Sequence, residues 1–550
     1  MAIRSLRIHP HDNVEVALTD LSTGEWIEAD NERIRLLDDV PAKHKYAIKD
    51  FEVDADIIMY GVLVGKAVVP IRKGMLISTS NIRHASGEYR VSQRKTDWLR
   101  PDVSPWKERT FMGYHRADGS VGTRNYWLLI PLVFCENKNV SVIHETLVKE
   151  LGYQREISPY GGLVRALKQR YHNGGNGDVL EPSIVDTVYD APEDNVFGNV
   201  DGIKLLTHTL GCGGTKDDAR TLCGLLAGYI THPNVAGATV LSLGCQNAQI
   251  PLLEAEIARR DAHFSKPLYL LEQQRIGNES ELLRDAITKT FAGLAIANTC
   301  MRQPAPLSKL CLGLECGGSD GFSGISANPA LGYVSDVLVS LGASVILSEF
   351  PELCGVEQEL SDRCVDEDTA DRFIQLMQTY QHRAEAVGSG FDSNPSAGNI
   401  RDGLITDAIK SAGAAKKGGT SPVEDVLDYP EKVSKPGLTL LCTPGSDIES
   451  TTAEVGSGAT VVVFTTGLGT PTGNPIAPVV KVSTNTTLYE KMKDIIDLDA
   501  GPVIRGEETI EEAGERILEH VIQIASGGSM AKAEAGGHDD FIPWKRGISL

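Results

Sequence analysis

The sequence predicts an α/β protein in which a small β-rich domain precedes a larger, multi-layered catalytic region built on parallel strands. Residues 1–85 alternate short apolar runs with turn residues, which is typical of a small β domain. Beyond residue 113, apolar β-branched runs each end at Gly or Cys and are followed by helix-like segments. This alternation favours parallel α/β layers. The chain of 550 residues also exceeds what one hydrophobic core ordinarily supports.

We divide the chain into four parts. Residues 1–85 form the β-rich domain, and residues 86–112 are polar, contain two prolines and have the composition of an exposed linker. Residues 113–305 and 306–550 are predicted to be a first and a second α/β catalytic domain. The strands of these domains are expected within 126–135, 203–212, 238–245, 309–316, 437–442 and 459–466.

The end of the chain contains a helical pattern over 507–524 and then the polar segment 531–540. Apolar residues spaced three or four positions apart predict the helix. Ala, Gly, His and Asp dominate the following segment, which we expect to be a mobile surface stretch.

Composition excludes several classes of protein. The chain carries 74 Asp and Glu against 53 Lys and Arg, a net charge of −21 that disfavours nucleic-acid partners. Mean hydropathy is −0.14 and no apolar run approaches the ~18 residues of a membrane span. Residues 1–11 lack a signal-peptide core, so we expect a cytoplasmic location. Ten cysteines are too sparse for a disulfide scaffold.

Histidines near the N-terminus are the first candidate for chemistry. His9, His11 and Asp12 lie in the segment IHPHDN, and His44 lies between two lysines. Neutral imidazole and carboxylate are ligands for Fe, Mn or Zn. Taken alone, the motif favours solvated or capping groups in a turn over metal ligands.

Cysteines at predicted strand ends are the second candidate. Cys135, Cys212, Cys245 and Cys316 each follow an apolar run. Thiolates at such positions bind iron or an iron–sulfur cluster, or act as nucleophiles, but a small residue packed near a ligand loop is the alternative. No CxxC pair occurs, so a zinc ribbon is excluded. The remaining cysteines are predicted to be packing residues: Cys223, Cys300, Cys311, Cys354, Cys364 and Cys442.

Glycine-rich loops and charged residues complete the candidates. The chain has 55 glycines, more than average, and much of this excess lies in loops such as 211–214, 317–324 and 467–473, which can present backbone N–H groups to an anion. No GxxxxGK[ST] motif occurs. Arg124 and Lys410 are candidate carboxylate clamps, with a surface role as the alternative. Glu349 and Glu352 follow an apolar strand and fit either a divalent ion or a helix start.

Twelve segments, in order along the chain, closely resemble the altronate/galactarate dehydratase family. The likeness runs from about residue 5 to residue 505 or beyond, which makes it far more specific than a single motif. The segments are IHPHDNVEVAL, KHKYAI, YGVLVGKA, GTRNY, THTLGC, HPNVAG, LGCQNAQ, GLECGGSDGFSGISANPALG, EFPELCGVEQ, PGSDIESTTA, FTTGLGTPTG and IDLDAG.

The resemblance implies an N-terminal SAF-type β domain and a metal-dependent lyase, with Fe²⁺ the expected ion and Mn²⁺ the alternative. Such enzymes dehydrate hexonates or hexarates to 2-keto-3-deoxy acids, and one branch releases sulfite from sulfolactate. The expected partner is therefore a small anionic sugar acid, with no nucleic acid and no membrane. We also expect a homo-oligomer, a dimer.

Roles for individual residues follow from the resemblance and the chemistry of their side chains. The candidate catalytic residues are His9, His44, His208, Glu349 and Glu352. The candidate metal ligands are His9, His44, Cys212, Cys245 and Cys316. The candidate substrate-binding residues are Arg124, Asn125, Gly317, Gly318, Ser319, Asp320, Lys410, Thr466 and Gly467.

The sequence departs from the family pattern at three places. Residues 78–81 read STSN in place of HxHN, with His84 three residues beyond, and Leu468 replaces the arginine of a GRG loop. Residues 410–413 read KSAG in place of KSLG. Besides a sugar-acid hydro-lyase, these differences leave two alternatives: a sulfo-lyase acting on a sulfolactate-type acid, and a catalytically silent paralogue that binds sugar acids.

Overall fold

A computed structural model describes residues 4–29, 32–87, 89–90, 93–154, 160–172 and 195–547. The N-terminal domain contains short antiparallel strands in three small sheets, ordered β1-β2-β5-β8, β3-β4 and β6-β7-β9. This confirms the predicted β-rich character. The strands are β1 (Ser5–Leu6), β2 (Val14–Ala17), β3 (Trp26–Ala29), β4 (Glu32–Arg35), β5 (Lys45–Ala47), β6 (Asp56–Met59), β7 (Val62–Ala67), β8 (Leu76–Ile77) and β9 (Ile82–Arg83).

The middle of the chain contains a parallel sheet of order β13-β12-β14-β15, flanked by helices. A small antiparallel sheet, β11-β10-β16, joins the strands that precede and follow this region. The elements are β10 (Thr110–His115), β11 (Val121–Gly122), β12 (Tyr126–Pro131), α1 (Asn137–Glu150), α2 (Tyr160–His172), β13 (Gly202–Leu205), α3 (Lys216–Thr231), β14 (Val235–Ser242), α4 (Ile250–Arg260), β15 (Leu268–Glu272), α5 (Gln273–Ile276), α6 (Glu279–Ala297) and β16 (Arg302–Pro306).

The last part of the chain forms a parallel sheet of seven strands, ordered β19-β20-β18-β17-β21-β22-β23. Its elements are β17 (Cys311–Cys316), α7 (Ala327–Ser340), β18 (Ser344–Leu347), α8 (Glu357–Asp362), α9 (Glu367–Ala386), α10 (Ala397–Arg401), α11 (Asp407–Ala414), β19 (Val423–Asp428), β20 (Gly437–Cys442), α12 (Asp447–Ser457), β21 (Val461–Thr466), β22 (Val479–Ser483), α13 (Thr486–Lys491), β23 (Leu498–Asp499), α14 (Gly501–Ile504), α15 (Ile510–Ala525) and α16 (Lys532–Ala535). Together with the SAF-like start and the middle sheet, it confirms the predicted α/β class.

Strand order in this sheet marks a ligand position. From β17 the chain passes to β18 on one side, and it later returns to β21 on the other. In open parallel sheets, ligands bind outside the carboxyl ends of strands where the order reverses in this way. The ends of β17, β18 and β21 are therefore where a site is expected.

The N-terminal domain is held against the seven-stranded sheet by buried lysines. Lys43 Nζ lies 3.1 Å from Asp320 Oδ2 and 3.0 Å from Asp402 Oδ1. Lys45, fully buried, donates from Nζ to the carbonyl oxygens of Lys43 at 3.0 Å and Gly403 at 2.6 Å. Burial lowers the pKa of Lys45 to about 7. The loop before β5 thus docks on the loop after β17.

The segment 531–540 differs from the prediction of a mobile surface stretch. It contains α16, in which Ala533 is buried and Glu534 is nearly so. The Glu534 carboxylate accepts two hydrogen bonds from Arg124, each of 2.7 Å. The small residues of α16 pack closely, and the Glu534 carboxylate pairs with the buried Arg124 guanidinium. These contacts hold α16 against the protein despite the polar composition of the segment. Among the described helices, none is long and apolar enough to cross a membrane.

Candidate active site and metal centre

A buried cluster of charged side chains lies where β17 and β18 end. Cys316 is the last residue of β17, while Glu349 and Glu352 belong to the turn that follows β18. Cys316 Sγ is 3.3 Å from Glu352 Oε2 and 3.5 Å from Glu349 Oε2. All three side chains are almost fully inaccessible to solvent. The structure therefore brings together one predicted metal ligand and two predicted catalytic residues.

The backbone at Glu349 is in the left-handed region, with φ of 64°. Few non-glycine residues adopt this conformation, and such strain concentrates at functional sites. Pro351 then opens a short 3₁₀ turn, Phe350–Leu353, which carries Glu352. The Glu349 N–H donates to Thr443 Oγ1 at 2.8 Å, and the Cys316 N–H donates to Glu349 Oε2 at 3.2 Å. These contacts aim the Glu349 carboxylate at the end of β17.

Two lysines pair with the two glutamates. Lys417 Nζ donates to Glu349 Oε2 at 2.6 Å, and both residues are only 1% exposed. Lys410, on α11, donates to Glu352 Oε1 at 2.5 Å and to Asn394 Oδ1 at 2.8 Å. Burial opposes a charged ammonium, but the surrounding anionic groups outweigh it and raise the pKa of both lysines. Both lysines are therefore cations within the cluster.

A second layer of carboxylates lies behind this pair. Glu315 and Glu454 are fully buried and share the hydroxyl of Ser348, which is 2.8 Å from Glu454 Oε1 and 3.2 Å from Glu315 Oε2. Burial raises the pKa of Glu454 to about 8 and that of Glu315 well above its ordinary value. Burial, together with the charge of Glu352, raises the pKa of Glu349 to about 7.

The cluster contains the donor set of a divalent metal site. Cys316, Glu349 and Glu352 each offer a ligand atom, and these atoms lie within 4.8 Å of one another. Three carboxylate oxygens are buried and have no hydrogen-bond partner: Glu349 Oε1, Glu315 Oε1 and Glu454 Oε2. Unpaired buried carboxylate oxygens are costly unless a cation or proton reaches them. Carboxylate oxygens and a cysteine sulfur are both donor types that first-row divalent metals accept.

A cavity of about 510 Å³ lies beside the cluster and is open to the surface. Asn394 and Gly445 belong to its wall, and the Asn394 amide donates to Glu352 Oε1 at 3.2 Å. Cationic side chains also contribute to the wall: Arg383, Lys545 and Arg546. A cavity of this size with cations around it suits a small organic acid.

The predicted glycine-loop residues lie beside the cluster. Gly317 continues from Cys316, and a Cβ placed on it would lie 2.2 Å from Asp447 Oδ2. Gly467 and Leu468 donate their N–H groups to the Gly318 carbonyl at 3.0 and 2.8 Å. The loop that holds Ser319 and Asp320 therefore packs on the loop after Thr466. These predicted substrate-binding residues, with Lys410, surround one end of the sheet.

Of the two predicted histidines of the N-terminal domain, His44 contacts the end of α10, and the contacts of His9 lie within its own domain. His44 Nε2 is 3.0 Å from the Arg401 carbonyl oxygen. His9 Nδ1 accepts the His11 N–H at 3.2 Å, and His9 packs against the turn at Gly61. Neither histidine belongs to the metal-type clusters found among the described residues.

The remaining predicted residues lie on the middle sheet. His208 is buried, its Nε2 is 2.7 Å from the Pro131 carbonyl and its Nδ1 accepts the Leu210 N–H at 3.1 Å, so both ring nitrogens are occupied by backbone. Burial lowers the pKa of His208 to about 4. Arg124 is bound to Glu534, and the Asn125 amide donates to the carbonyls of neighbouring loops. The structure does not bring these residues to the cluster.

Cys212 and Cys245 are exposed at the ends of loops after β13 and β14. In the part of the chain that the structure describes, neither joins a group of three metal-type ligands. Cys212 lines a small cavity of about 40 Å³, and Lys545 lines both this cavity and the large one.

Sequence reasoning missed four residues of the cluster: Glu315, Asn394, Lys417 and Glu454. Glu315 carried a signal, because a charged residue inside the apolar strand preceding Cys316 requires a buried partner. Lys417 and Asn394 lie in polar loops, where nothing local distinguishes them from solvated side chains.

Comparison with known sequences covers almost the whole chain. Residues 3–85 match the altronate/galactarate dehydratase SAF domain, residues 113–298 the second domain of D-galactarate dehydratase/altronate hydrolase, and residues 307–549 the C-terminal domain of D-galactarate/altronate dehydratase. The chain is 32% identical to altronate dehydratase of Escherichia coli (strain K12), over 99% of each chain.

Two further relatives define the range of chemistry among similar proteins. The chain is 30% identical to galactarate dehydratase (L-threo-forming) of Escherichia coli (strain K12), over 95% of this chain and 92% of the relative. It is 28% identical to (2R)-sulfolactate sulfo-lyase subunit beta of Chromohalobacter salexigens, over 79% of this chain and 97% of the relative.

Proposed function

The chain belongs to the altronate/galactarate dehydratase family, and from that premise we propose that it is a metal-dependent hydro-lyase that converts a sugar acid of the altronate or galactarate type to a 2-keto-3-deoxy acid. Relatives named altronate dehydratase and galactarate dehydratase match over nearly their full length. The observation that carries the proposal is the buried cluster of Cys316, Glu349, Glu352, Lys410 and Lys417 at the strand ends.

The dehydration reaction requires a base at one carbon of the substrate and an acid at the next. A proton leaves the carbon beside the substrate carboxylate, hydroxide leaves the next carbon, and the resulting enol becomes a ketone, so one water is released. A base must take the first proton, and an acid must protonate the departing hydroxyl. Negative charge that develops on the substrate carboxylate also needs stabilisation.

We infer that Cys316, Glu349 and Glu352 hold a divalent ion, with Fe²⁺ favoured and Mn²⁺ the alternative. Their ligand atoms lie within 4.8 Å of one another, and the Glu349 Oε1 atom has no other partner. When bound, such an ion supplies Lewis-acid stabilisation of the substrate carboxylate. Lys417 balances the carboxylates on the inner side, at 2.6 Å from Glu349.

Lys410 is the residue best placed to act on the substrate from the cavity side. Its ammonium contacts both Glu352 and Asn394, and Asn394 forms part of the cavity wall. It can orient a substrate oxygen by donating a hydrogen bond, and its Nζ proton can pass to the departing hydroxyl. Asn394 holds Lys410 and Glu352 in register by donating to one and accepting from the other.

The cationic cavity wall supports an anionic substrate despite the net charge of −21. Arg546 is fixed by Asp428, with Nη1 2.9 Å from Oδ2, and lies 4.3 Å from the Trp544 ring. Arg383 is exposed at the end of α9. A local cationic wall determines the field inside a cleft more strongly than distant surface charge.

The test is a substrate panel assayed on reduced enzyme supplied anaerobically with Fe²⁺ or Mn²⁺. The panel contains aldonates, aldarates and sulfolactate. Formation of a 2-keto-3-deoxy acid from altronate or galactarate supports the proposal. Release of sulfite would show instead the chemistry of the sulfolactate relative. Tight binding of sugar acids with no turnover under any metal would show a catalytically silent protein.

Glu352→Gln provides the variant for this assay, because it keeps the size of the side chain and removes its charge. We expect turnover to fall by roughly 100-fold or more. Glu359→Gln is the matched control, since Glu359 lies in α8 of the same segment with its carboxylate 3.7 Å from Lys416 near the surface. Equal turnover rates for Glu352→Gln and Glu359→Gln would show that Glu352 is not part of the active site.

A further inference from the structure

A second group of side chains that could bind a metal ion lies where the N-terminal domain ends, after β9. His84 follows β9, Cys354 follows the turn that carries Glu352, and Asp407 begins α11. One ligand atom from each lies within 4.8 Å of the others. The three residues come from distant parts of the chain, so the fold itself assembles the group.

Each side chain points into the group. His84 Nδ1 lies against Asp407 Oδ1, is buried and has no hydrogen bond of acceptable geometry. The Asp407 side chain is 5% exposed, whereas His84 is one-third exposed, so an ion could enter from the side of the imidazole. The Cys354 thiol hydrogen-bonds to Asp407. Imidazole, thiol and carboxylate therefore converge on one point.

An outer carboxylate supports the group. Glu357 Oε2 accepts the Gly355 N–H at 2.6 Å, directly after Cys354. The charges of Glu357 and Asp407 both act on the Cys354 thiol. Such carboxylates around a ligand shell orient it and offset the charge of a bound cation.

We propose that His84, Cys354 and Asp407 form a Zn²⁺ site separate from the catalytic cluster. Nitrogen, sulfur and oxygen ligands in one group suit Zn²⁺, which binds them at about 2.0–2.3 Å and accepts three protein ligands with an open fourth position. Hard ions such as Mg²⁺ and Ca²⁺ prefer oxygen alone. The site takes up a cation and forms no covalent product.

The position of this site gives it a structural consequence. Cys354 is two residues after Glu352, and Asp407 is three residues before Lys410. A bound ion would tie the end of the N-terminal domain to the two segments that carry the Glu352–Lys410 pair. It would act as a positioning element, because none of its ligands contacts the catalytic cluster in the described hydrogen bonds.

The experiment measures Zn²⁺ bound per chain after metal-stripped, reduced enzyme is dialysed against ZnCl₂. Wild-type protein is compared with His84→Gln and Cys354→Ser, which preserve side-chain size. His115→Gln is the matched control, since His115 lies on β10 with Nε2 3.2 Å from a backbone carbonyl. Cys316→Ser separates this site from the catalytic cluster.

We expect His84→Gln and Cys354→Ser each to lose one equivalent of Zn²⁺ that His115→Gln retains, and to lose the same equivalent when they are made in the Cys316→Ser protein. The affinity loss should be at least the roughly 10–100-fold that follows loss of an outer-shell partner. Retention of that equivalent by both variants would overturn the proposal and leave His84 and Asp407 as an ion pair.

Cobalt provides a second measurement that does not depend on stability. Co²⁺ bound by a thiolate gives a charge-transfer absorption band. Cys316→Ser, which lacks the thiol of the catalytic cluster, should still show this band, and the double variant Cys316→Ser/Cys354→Ser should not. Circular dichroism of each variant verifies that it is folded. A band that depends on Cys316 alone would also overturn the proposal.

Discussion

Removal of the Lys417 ammonium should lower the free energy of unfolding far more than removal of an exposed lysine charge, because Lys417 forms a buried ion pair. Its ammonium lies 2.6 Å from Glu349 Oε2, and both side chains are 1% exposed. Lys417→Met removes the charge and leaves a carboxylate without its partner in a site that water does not reach. The charge of Lys417 also favours the ionised forms of Glu315, Glu349 and Glu454.

Breaking a buried ion pair by removing one partner costs about 3–5 kcal/mol, because the other charge remains desolvated. The neighbouring Lys416 offers the contrast. It is 35% exposed and its Nζ lies 3.7 Å from Glu359. Exposed pairs contribute about 0–1 kcal/mol, so Lys416→Met should be nearly neutral. Two adjacent lysines thus differ by several kcal/mol in expected effect.

The measurement is urea unfolding of both variants followed by circular dichroism. The double variant Lys417→Met/Glu349→Gln should recover most of the lost stability, since no unpaired charge remains, yet it should stay inactive. Loss of Lys417 raises the pKa of Glu349 further. Since the folded state then binds the proton more tightly, the destabilisation should be smaller at about pH 6 than at about pH 8. Equal stabilities of the two single variants would refute the reasoning.

Three further outcomes are expected. Lys45→Met removes a buried ammonium whose pKa is lowered to about 7. Between about pH 7 and pH 10, Lys45 is protonated to a greater extent in the unfolded chain than in the folded chain. The free energy of unfolding of the wild type, measured in urea, should therefore rise by about 3 kcal/mol relative to that of the variant over this range. Gly317→Ala would place a Cβ 2.2 Å from the Asp447 side chain, and kcat should fall by roughly 100-fold, whereas Gly198→Ala, with open space around it, should not change kcat. Arg124→Lys loses the bidentate pair with the carboxylate of α16 and should destabilise the chain by about 1–3 kcal/mol in urea unfolding.

Several strands of the two parallel sheets could be predicted because each is an apolar run that ends at or near Gly or Cys. They are β12, β13, β14, β17, β20 and β21. Cys316 was predicted at a strand end, and it is the last residue of β17. Glu349 and Glu352 followed from their place after an apolar strand. These features depend on a single stretch of sequence, where periodicity and turn residues are informative.

The partners of these residues could not be predicted in the same way. Lys417 meets Glu349 only because α11 and the turn after it fold back over β18, and the two residues are 68 positions apart. His84, Cys354 and Asp407 come together for the same reason. For the segment 531–540 the prediction of a mobile surface stretch was wrong, because Glu534 pairs with Arg124, a residue distant in the sequence.

We propose that the cluster at the ends of β17 and β18 is the metal-dependent dehydration site. The most direct test is the initial rate of 2-keto-3-deoxy acid formation by metal-stripped enzyme during titration with Fe²⁺, for wild type and Glu349→Gln, with bound iron measured in the same samples. We predict that wild-type activity rises to saturation with one bound equivalent that Glu349→Gln fails to retain. Full activity without bound metal, or an equal response of Glu349→Gln, would contradict the account.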